Sequence, residues 1–249
     1  MRELALVTGG HSQIAIDISI ELSLNFDVIH ISRNPDETLS ENFISHPNVE
    51  IWQLDLLDES AIERAVFRIV KESNREIAAI VFAHRSREID FSSAVKLELE
   101  SPLRLIDEII KYQSETQLKS VIFFSSPASE KILADQELAY HLTKTCISQA
   151  VRYLSIKFAS LGIRVNGISP GSFVKKKRSE DFYLTHADYL RQVLEFIPEH
   201  ELVSTKNIGY LAGFLASPVS AGINGQIIRI DGGYSNMEES SYFIQANRP

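Results

Sequence analysis

The chain has 249 residues, of which 44% are apolar, and it carries a formal net charge of −8. Its length suits one large α/β domain or two small ones, and its apolar content excludes a largely disordered chain. Proteins that bind DNA or RNA usually carry a basic stripe, whereas this acidic chain has one compact basic run, residues 175–178. We therefore expect no nucleic-acid partner.

Cysteine content and targeting patterns bear on the compartment. Cys146 is the single cysteine, which excludes an internal disulfide and fits a reducing compartment. No apolar run reaches the length of a membrane-spanning helix, and no signal-peptide pattern precedes the first predicted strand. We expect a cytoplasmic protein without a membrane partner, and we predict no metal site.

Short apolar runs rich in Val, Ile, Leu and Phe alternate with longer stretches of helical period. Nearly continuous apolar runs are typical of parallel strands covered on both faces. The alternation predicts an α/β fold, a Rossmann-type doubly wound parallel sheet of about seven strands with helices on both faces. The predicted strands are 4–8, 28–32, 49–54, 78–83, 120–125, 164–168 and 226–230, and the predicted helices are 13–24, 59–73, 97–112, 137–160 and 206–216.

No linker rich in Gly, Pro or Ser divides the chain, so we predict one domain over residues 1–249. The longest departure from the alternation is 172–201, which contains a predicted helix at 183–196. We interpret this segment as a substrate lid, and the alternative is a surface excursion without function. The tail, 234–249, could cover a neighbouring subunit's site or be disordered.

The first predicted strand runs into a glycine turn, Thr8-Gly9-Gly10-His11-Ser12-Gln13-Ile14-Ala15. Such a turn lets backbone N–H groups and the following helix N-terminus face a pyrophosphate. Gly-Gly turns are common, but this one stands where a dinucleotide-binding fold needs it.

Two further positions point to the cofactor. Asp55, before Leu56, follows the third strand, where a carboxylate can accept from an adenine amino group. The second strand leads into Arg33 and has no acidic residue at its end to bind the ribose 2′-hydroxyl of NAD. An arginine there can pair with the 2′-phosphate of NADP, although it could also be a solvated loop residue. We therefore predict NADP(H) rather than NAD(H).

Tyr140 and Lys144 are four residues apart on a predicted helix and so share one face. Tyrosine ordinarily ionises near pH ~10, and a nearby ammonium favours the phenolate. Such a pair can take a proton from an alcohol or give one to a nascent alkoxide. Tyr153 and Lys157 repeat the spacing, and periodicity does not choose between the two pairs.

Four segments in order carry a family resemblance: Phe124-Ser125-Ser126, then Tyr140 with Lys144, then Gly162-Ile163-Arg164-Val165-Asn166-Gly167-Ile168-Ser169-Pro170-Gly171, then Asp231-Gly232-Gly233. With these segments, the chain resembles the short-chain dehydrogenase/reductase family over almost its whole length. The resemblance selects Tyr140 and Lys144 as the reactive pair and implies that Tyr153 is a packing residue. It also implies a homotetramer or dimer, with residues 231–233 near a subunit contact.

The resemblance implies an NAD(P)-dependent oxidoreductase that transfers a hydride between the nicotinamide and a carbonyl or hydroxyl substrate. Tyr140 would be the general acid/base, Lys144 would assist it and bind the nicotinamide ribose, and Ser126 would orient the substrate. Ser125, Ser129 or a purely structural serine remain alternatives for that third role. The cofactor contacts implied are Gly9, Ser12, Gln13, Ile14, Arg33, Asp55, Leu56, Ala83, Lys144, Pro170 and Gly171.

The chain departs from the family pattern at three places. Gln13 and Ala15 stand where the family has its second and third glycines, and Gln13 brings a side chain to where backbone should approach the phosphates. Residues 82–85 replace the family's Asn-Asn-Ala-Gly. Glu98 replaces the asparagine that helps to hold a water in the proton relay. Glu98 could substitute for it, pair with Lys144, or be a helix-surface acid.

His84, Arg85 and Phe173 are the candidate substrate residues. His84 and Arg85 follow a central strand, at the sheet edge where ligands bind in this architecture. One hypothesis is that Arg85, with the run 175–178, recognises an anionic group of the substrate. The alternative is that His84 and Arg85 are solvated or satisfy local backbone groups.

Two rival functions follow from these departures. A non-catalytic relative that senses dinucleotides or binds a partner would explain the replacements, although retention of both Tyr140 and Lys144 argues against it. An enoyl reductase is the second rival, because that branch tolerates a loosened glycine pattern. Its Tyr-to-Lys spacing is longer than the one found here, so we rank it below carbonyl chemistry.

Overall fold

The computed structural model describes residues 2–87, 90–113, 117–171, 182, 185–238 and 241. Seven strands form one parallel sheet in the order β3-β2-β1-β4-β5-β6-β7, which confirms the predicted doubly wound sheet. The strands are β1 Leu4–Thr8, β2 Asp27–Ser32, β3 Val49–Gln53, β4 Ile77–Phe82, β5 Ser120–Phe124, β6 Arg164–Pro170 and β7 Ile227–Ile230.

Helices cover both faces of the sheet. The helices are α1 Gln13–Leu22, α2 Glu37–Glu41, α3 Glu59–Phe67, α4 Phe91–Val95, α5 Ser101–Tyr112, α6 Leu138–Lys157, α7 Ala187–Glu195 and α8 Thr205–Ala216. Apolar side chains of α3, α5 and α6 form one core cluster, and those of α1 and α8 form the cluster on the opposite face. Among the described residues, no helix is both long and apolar enough to cross a membrane.

The strand sequences explain this two-sided core. All five residues of β1 are buried, and they alternate between the faces. Leu4 and Leu6 enter the cluster of α3, α5 and α6, whereas Ala5 and Val7 enter the cluster of α1 and α8. A strand buried on both faces has no polar side to show, which is why these runs read as continuously apolar.

Several helices have other boundaries than the sequence predicted. The predicted helix 59–73 is α3 followed by a π-helical turn at Arg68–Glu72, and the predicted helix 97–112 begins with a π-helical turn at Lys96–Glu100. The short helix α2 was not predicted, although Asp36 caps it by accepting from the Leu39 N–H. Of the predicted helix 183–196, Ala187–Glu195 forms α7, and residues 183 and 184 lie outside the described residues.

The strand order decides where a ligand can bind. β1 pairs with both β2 and β4, so the chain reverses direction across the sheet between β1 and β4. Ligands of doubly wound folds bind outside the carboxyl ends of the strands at this point. The glycine turn leaves β1 there, and His84 and Arg85 follow β4 at the same edge.

Candidate active site

The glycine turn after β1 has a backbone that demands glycine. Gly9 and Gly10 have φ angles of +137° and +50°. A Cβ on Gly9 would lie 2.7 Å from the Ala15 Cβ and 3.1 Å from the Ala83 carbonyl oxygen. The turn therefore brings α1 and the end of β4 into close contact, and Ala15 serves where the family has glycine.

The N-terminus of α1 is open to an anion. The Ser12 side chain makes no capping hydrogen bond, whereas Asp58, Asp90 and Ser204 cap α3, α4 and α8. N–H groups in the first turn of a helix have no intrahelical partner, and they stabilise a phosphate placed before them. The residues present at this turn therefore fit a dinucleotide pyrophosphate.

The side-chain amide of Gln13 does not occupy the space in front of the N-terminus of α1. Its Nε2 donates to the Asp17 Oδ1 at 3.0 Å, one turn further along α1. An i, i+4 pair of this kind lies along the helix surface rather than across its N-terminus. The substitution at the family's second glycine is thus accommodated by a partner within the same helix.

His30 of β2 contacts the glycine turn, and the sequence analysis did not predict this role. It is fully buried, its Nε2 lies 2.8 Å from the Gly10 carbonyl oxygen, and its Nδ1 lies 2.8 Å from the Ser19 hydroxyl. The carbonyl can only accept, so Nε2 donates and Nδ1 accepts, as in neutral imidazole. Burial lowers the pKa of His30 to about 4. A histidine inside an apolar strand was the signal available in the sequence.

The end of β2 presents a cation. Arg33 is exposed, and its guanidinium forms no ion pair within the part of the chain that is described. A Cβ on Gly10 would lie 3.0 Å from the Ser32 Oγ, so the Ser32 hydroxyl borders the glycine turn. The nearby Asp36 carboxylate is engaged, because it pairs with the His11 Nε2 at 2.9 Å and this contact lowers its pKa.

The end of β3 supplies the other predicted cofactor contacts. Asp55 is half-buried, and its Oδ1 accepts from the Leu57 N–H at 3.0 Å. Leu56 is buried. The Asp55 carboxylate is thereby fixed by the backbone at the sheet edge that carries the glycine turn.

Tyr140 and Lys144 lie on the first two turns of α6. Lys144 is 3% exposed, and its Nζ lies 5.6 Å from the centre of the half-buried Tyr140 ring. The Lys144 ammonium donates to the Phe124 carbonyl oxygen at 3.0 Å, which ties α6 to the end of β5. Helix spacing therefore places the two predicted reactive groups side by side.

Glu98 pairs with Lys144. The Glu98 Oε2 accepts from the Lys144 Nζ at 2.6 Å, and both side chains are only 3% exposed. The Glu98 Oε1 accepts from the Ser86 N–H at 2.8 Å. Glu98 lies on the π-helical turn Lys96–Glu100, a distortion often found at functional sites. The helix-surface interpretation of Glu98 is wrong, and the pairing with Lys144 is confirmed.

His84 bridges the glycine strand and the π-helical turn. Its Nδ1 lies 2.6 Å from the Thr8 Oγ1, and its Nε2 lies 2.8 Å from the Leu97 carbonyl oxygen. Burial lowers the pKa of His84. The Leu97 carbonyl oxygen can only accept, so Nε2 donates to it. Both nitrogens are thus used within the protein, and His84 positions the turn that carries Glu98.

Arg85 lies over the Tyr140 ring. Its Cζ is 4.5 Å from the ring centre, and its Nη2 donates to the Gln136 Oε1 at 3.1 Å. A cation over an aromatic face is attracted by the ring's charge distribution. These residues line a cleft of about 120 Å³ whose other described lining residues are Ser86, Arg87, Ala94, Glu98, Asp135, Glu137, Ala139 and Thr143.

The three serines after β5 have distinct contacts. Ser126 is buried, and its Oγ accepts from the Ala128 N–H at 3.2 Å, which caps the short 3₁₀ turn Pro127–Ser129. The Ser125 Oγ lies 2.6 Å from the Ser148 Oγ on α6. The Ser129 hydroxyl donates to the Ser126 carbonyl oxygen at 2.8 Å. Ser126 keeps its hydroxyl proton free of these contacts, and it remains our candidate for the third role.

The wall beside the predicted nicotinamide site is held by close packing. Pro170 ends β6, and a Cβ on Gly171 would lie 2.5 Å from the Asp231 Cβ. The Asp231 carboxylate in turn accepts from the Gly233 N–H at 3.0 Å. This contact explains why a Pro-Gly pair and a late Asp-Gly-Gly segment occur together.

Two further predictions concern Tyr153 and the segment that contains Phe173. Tyr153 is 66% exposed, so its interpretation as a packing residue is wrong; the second Tyr/Lys pair lies on an outward face of α6. Phe173 and the basic run 175–178 lie outside the described residues, as does most of the first half of the predicted lid.

Comparison with known proteins found oxidoreductases that are similar to this chain. Glucose 1-dehydrogenase of Gluconobacter oxydans (strain 621H) is 27% identical over 144 residues, which is 58% of this chain and about half, 53%, of that relative. The uncharacterized oxidoreductase YmfI of Bacillus subtilis (strain 168) is 26% identical over 94% of this chain and 99% of its own length. The solved structure of ElxO with NADP bound superposes with a TM-score of 0.83 at 21% identity and covers 95% of this chain and 100% of that one.

A family model described as "Enoyl-(Acyl carrier protein) reductase" matches residues 25–235, which is well over half of the chain. Together with the ordered segments and the sheet described above, this match identifies the family. The chain belongs to the short-chain dehydrogenase/reductase family.

Proposed function

We propose that this protein is an NADP(H)-dependent oxidoreductase that transfers a hydride between the nicotinamide and a carbonyl or hydroxyl substrate. The observation that carries the proposal is the placement of Tyr140 beside a buried Lys144, at the sheet edge that also carries the glycine turn. A bound nicotinamide cofactor would supply or accept the hydride.

In this proposal Tyr140 handles the proton of the reacting oxygen. In the reducing direction its hydroxyl donates a proton to the oxygen of the carbonyl, and in the oxidising direction its phenolate removes one from the alcohol. The Lys144 Nζ lies 5.6 Å from the centre of the Tyr140 ring, and it would donate to the nicotinamide ribose. Ser126 would donate a hydrogen bond to the same substrate oxygen.

The preference for NADP(H) rests on the end of β2. The exposed Arg33 guanidinium and the Ser32 hydroxyl beside the glycine turn suit a 2′-phosphate, and Asp36, the nearby carboxylate, is paired with His11. The ElxO structure, described with NADP bound, supports a nicotinamide dinucleotide. Gln13 would contribute its backbone. The other proposed cofactor contacts are Gly9, Ser12, Ile14, Asp55, Leu56, Ala83, Pro170 and Gly171.

We propose a small-molecule substrate with an anionic group bound by Arg85. The guanidinium lies over the ring of the proposed proton donor, and its hydrogen-bond partner in the described structure is the neutral Gln136 amide. A carboxylate held there would place a carbonyl close to Tyr140. His84 acts in this proposal by positioning the site rather than by touching the substrate.

The decisive experiment compares the wild type with Tyr140→Phe. We expect NADPH-dependent reduction of ketones by the wild type, and loss of turnover in Tyr140→Phe with an NADPH dissociation constant within about twofold of the wild type. Tyr153→Phe, on the exposed face of the same helix, is the matched control and should keep full activity. Full activity in Tyr140→Phe would contradict the mechanism.

The same assay separates the rival functions. A conjugated enoyl thioester offered beside a ketone tests for the enoyl reductase that the matching family model describes. Reduction of the enoyl substrate alone would establish that rival. Binding of NADPH without reduction of either substrate would favour a protein that senses the dinucleotide or binds a partner.

A further inference from the structure

We infer that His141 positions Arg85 for the anionic group of the substrate, by clamping the segment 133–137 that carries the hydrogen-bond partner of Arg85. This inference rests on the proposed function, because it takes Arg85 as the residue that binds that group. The observation behind it is that the two ring nitrogens of His141 contact the backbone at both ends of the segment. His141 is not among the described residues that line the cleft, so we regard it as a positioning residue.

The His141 ring holds the first and last residues of the segment 133–137. Its Nε2 accepts from the Leu133 N–H at 2.9 Å, and its Nδ1 donates to the Glu137 carbonyl oxygen at 3.0 Å. A backbone N–H can only donate and a carbonyl oxygen can only accept, so the two contacts fit a neutral ring with its hydrogen on Nδ1. His141 is buried on α6. The clamp therefore needs one acceptor and one donor at the places that the imidazole ring provides.

The side chains of the clamped segment anchor it weakly. Residues 133–137 form neither helix nor strand. Leu133 and Gln136 are half-buried, and the other three side chains are exposed. A segment that buries few apolar groups opens locally at a low cost in free energy. We therefore expect the hydrogen bonds from His141 to keep this segment in one conformation.

The segment transmits its position to Arg85. The Leu133 carbonyl oxygen accepts from the Gln136 N–H at 3.1 Å, which closes a turn between the clamped residue and Gln136. The Gln136 Oε1 accepts from the Arg85 Nη2 at 3.1 Å, and the Arg85 Cζ lies 4.5 Å from the centre of the Tyr140 ring. A shift of Leu133 would therefore move the partner of Arg85, while Tyr140 would stay in place on α6.

Arg85 benefits from such a partner because its side chain is exposed. An exposed arginine samples many rotamers, and fixing it when an anion binds costs side-chain entropy. Gln136 holds the guanidinium through a neutral acceptor, so the positive charge stays available for a carboxylate. Preorganisation of this charge strengthens the binding of an anionic substrate and does little for an uncharged one. The clamp therefore predicts an effect that depends on the charge of the substrate.

The test replaces His141 by Asn and by Gln. The Asn amide can occupy the place of Nδ1 and keep the contact with Glu137, but it is too short to accept from the Leu133 N–H. The Gln amide oxygen reaches the place of Nε2 and can accept from it. The probes are levulinate, which carries a ketone and a carboxylate, and methyl levulinate, which has the same ketone and no charge.

We expect His141→Asn to raise the KM for levulinate about three- to tenfold. The dissociation constant of levulinate should rise by the same factor when it is measured with the protein loaded with NADP⁺, which cannot reduce a ketone. The KM for methyl levulinate and the kcat for both probes should stay within about twofold of the wild type. His141→Gln should return the levulinate constants to within about twofold of the wild type.

Two further measurements accompany the kinetics. Lys131→Ala, which changes an exposed residue of the same loop between β5 and α6, is the matched control and should keep wild-type constants. Amide hydrogen exchange over residues 130–137 reports the clamp without turnover. Exchange should be faster in His141→Asn than in the wild type, and it should be slow again in His141→Gln.

Equal losses for levulinate and methyl levulinate in His141→Asn would overturn the inference, because a merely structural role weakens both. Unchanged levulinate constants, or no recovery in His141→Gln, would overturn it too. Should His141→Asn fail to fold by its melting temperature, Gln136→Ala removes the support of Arg85 and leaves the clamp. A loss confined to levulinate in Gln136→Ala supports the inference, and unchanged levulinate binding overturns it.

Failure of the proposed function is distinguishable from failure of this inference. A wild type that reduces no ketone contradicts the proposed function, and levulinate binding and amide exchange then still test His141. A wild type that binds levulinate no better than methyl levulinate contradicts the anionic substrate, and the role of His141 falls with it.

Discussion

His30 donates from Nε2 to the carbonyl oxygen of Gly10 across 2.8 Å, so a side chain buried in β2 holds the backbone of the glycine turn. Its other ring nitrogen accepts from the Ser19 hydroxyl of α1 at 2.8 Å. One imidazole therefore connects the strand, the turn and the helix that form the proposed phosphate site. Loss of these contacts can be measured separately by its effect on the free energy of unfolding and by its effect on the affinity for NADPH.

Replacing His30 by Phe removes both hydrogen bonds, so the buried Ser19 hydroxyl and the partly buried Gly10 carbonyl oxygen lose these partners. We expect the free energy of unfolding to fall by about 3 kcal/mol, since each buried polar group left unpaired costs roughly 1–3 kcal/mol. Urea denaturation measures this change. NADPH affinity should fall as well, because Gly10 loses its support. His186→Phe is the control, because His186 is exposed, and a loss of equal size there would contradict the assignment.

Stability should fall as the pH falls from 6.5 to 4. Burial lowers the pKa of His30 from 6.5 to about 4, so in this window the unfolded chain binds a proton that the folded chain does not. The stabilisation is complete above pH 6.5 and is lost progressively down to pH 4, by about 3 kcal/mol for this residue. His84, whose pKa is also lowered by burial, acts in the same direction.

The check is urea denaturation of the wild type and His30→Phe at several pH values between 4 and 7. The variant lacks one of the titrating groups, so its free energy of unfolding should depend less steeply on pH. Equal slopes for the two proteins would show that His30 does not titrate in this window.

Most of the sheet was predictable from the sequence, because strands buried on both faces read as unbroken apolar runs. The position of Glu98 was not predictable from the sequence. A helical pattern does not reveal that the chain forms a π-helical turn at Lys96–Glu100, and that turn carries Glu98 at the point where it meets Lys144. The pairing depends on elements 46 residues apart in the chain, so no local pattern reports it.

The two surprises at the cofactor end have different origins. The Gln13 amide reaches Asp17 four residues on, and that spacing was visible in the sequence as an i, i+4 pair. The partners of His30 lie 11 and 20 residues away, on α1 and in the glycine turn, and only the fold brings them together. A buried polar residue in a strand requires partners, but the sequence does not say which.

The glycine turn offers a comparison between two positive-φ glycines. Gly9→Ala would put a Cβ 2.7 Å from the Ala15 Cβ, whereas Gly222 has φ +87° and none of the described residues comes within 4 Å of where its Cβ would be. Gly222→Ala should cost about 1 kcal/mol, from backbone strain alone. Gly9→Ala should cost at least about 2 kcal/mol more, because the helix must shift away from the turn. Thermal and urea unfolding measure both, and equal losses would mean that the close contact is not a constraint.

The last prediction concerns Arg33 and the preference of the protein for NADPH over NADH. A guanidinium that pairs with the 2′-phosphate contributes nothing to NADH, so Arg33→Ala should raise the NADPH dissociation constant about 10- to 100-fold and leave that of NADH within about twofold. Calorimetric titration with each cofactor measures both constants. Arg64→Ala removes one positive charge from the exposed face of α3, where Arg64 lies 3.9 Å from Asp58, and controls for net charge.

The two possible outcomes of that titration differ in what they say about the end of β2. A selective loss of NADPH affinity in Arg33→Ala, absent in Arg64→Ala, assigns the 2′-phosphate to Arg33 and to the Ser32 hydroxyl beside it. An equal loss for both cofactors would place Arg33 against a part common to NADPH and NADH. The His11–Asp36 pair would then be the next contact to change, because it spans the same gap between the glycine turn and the start of α2.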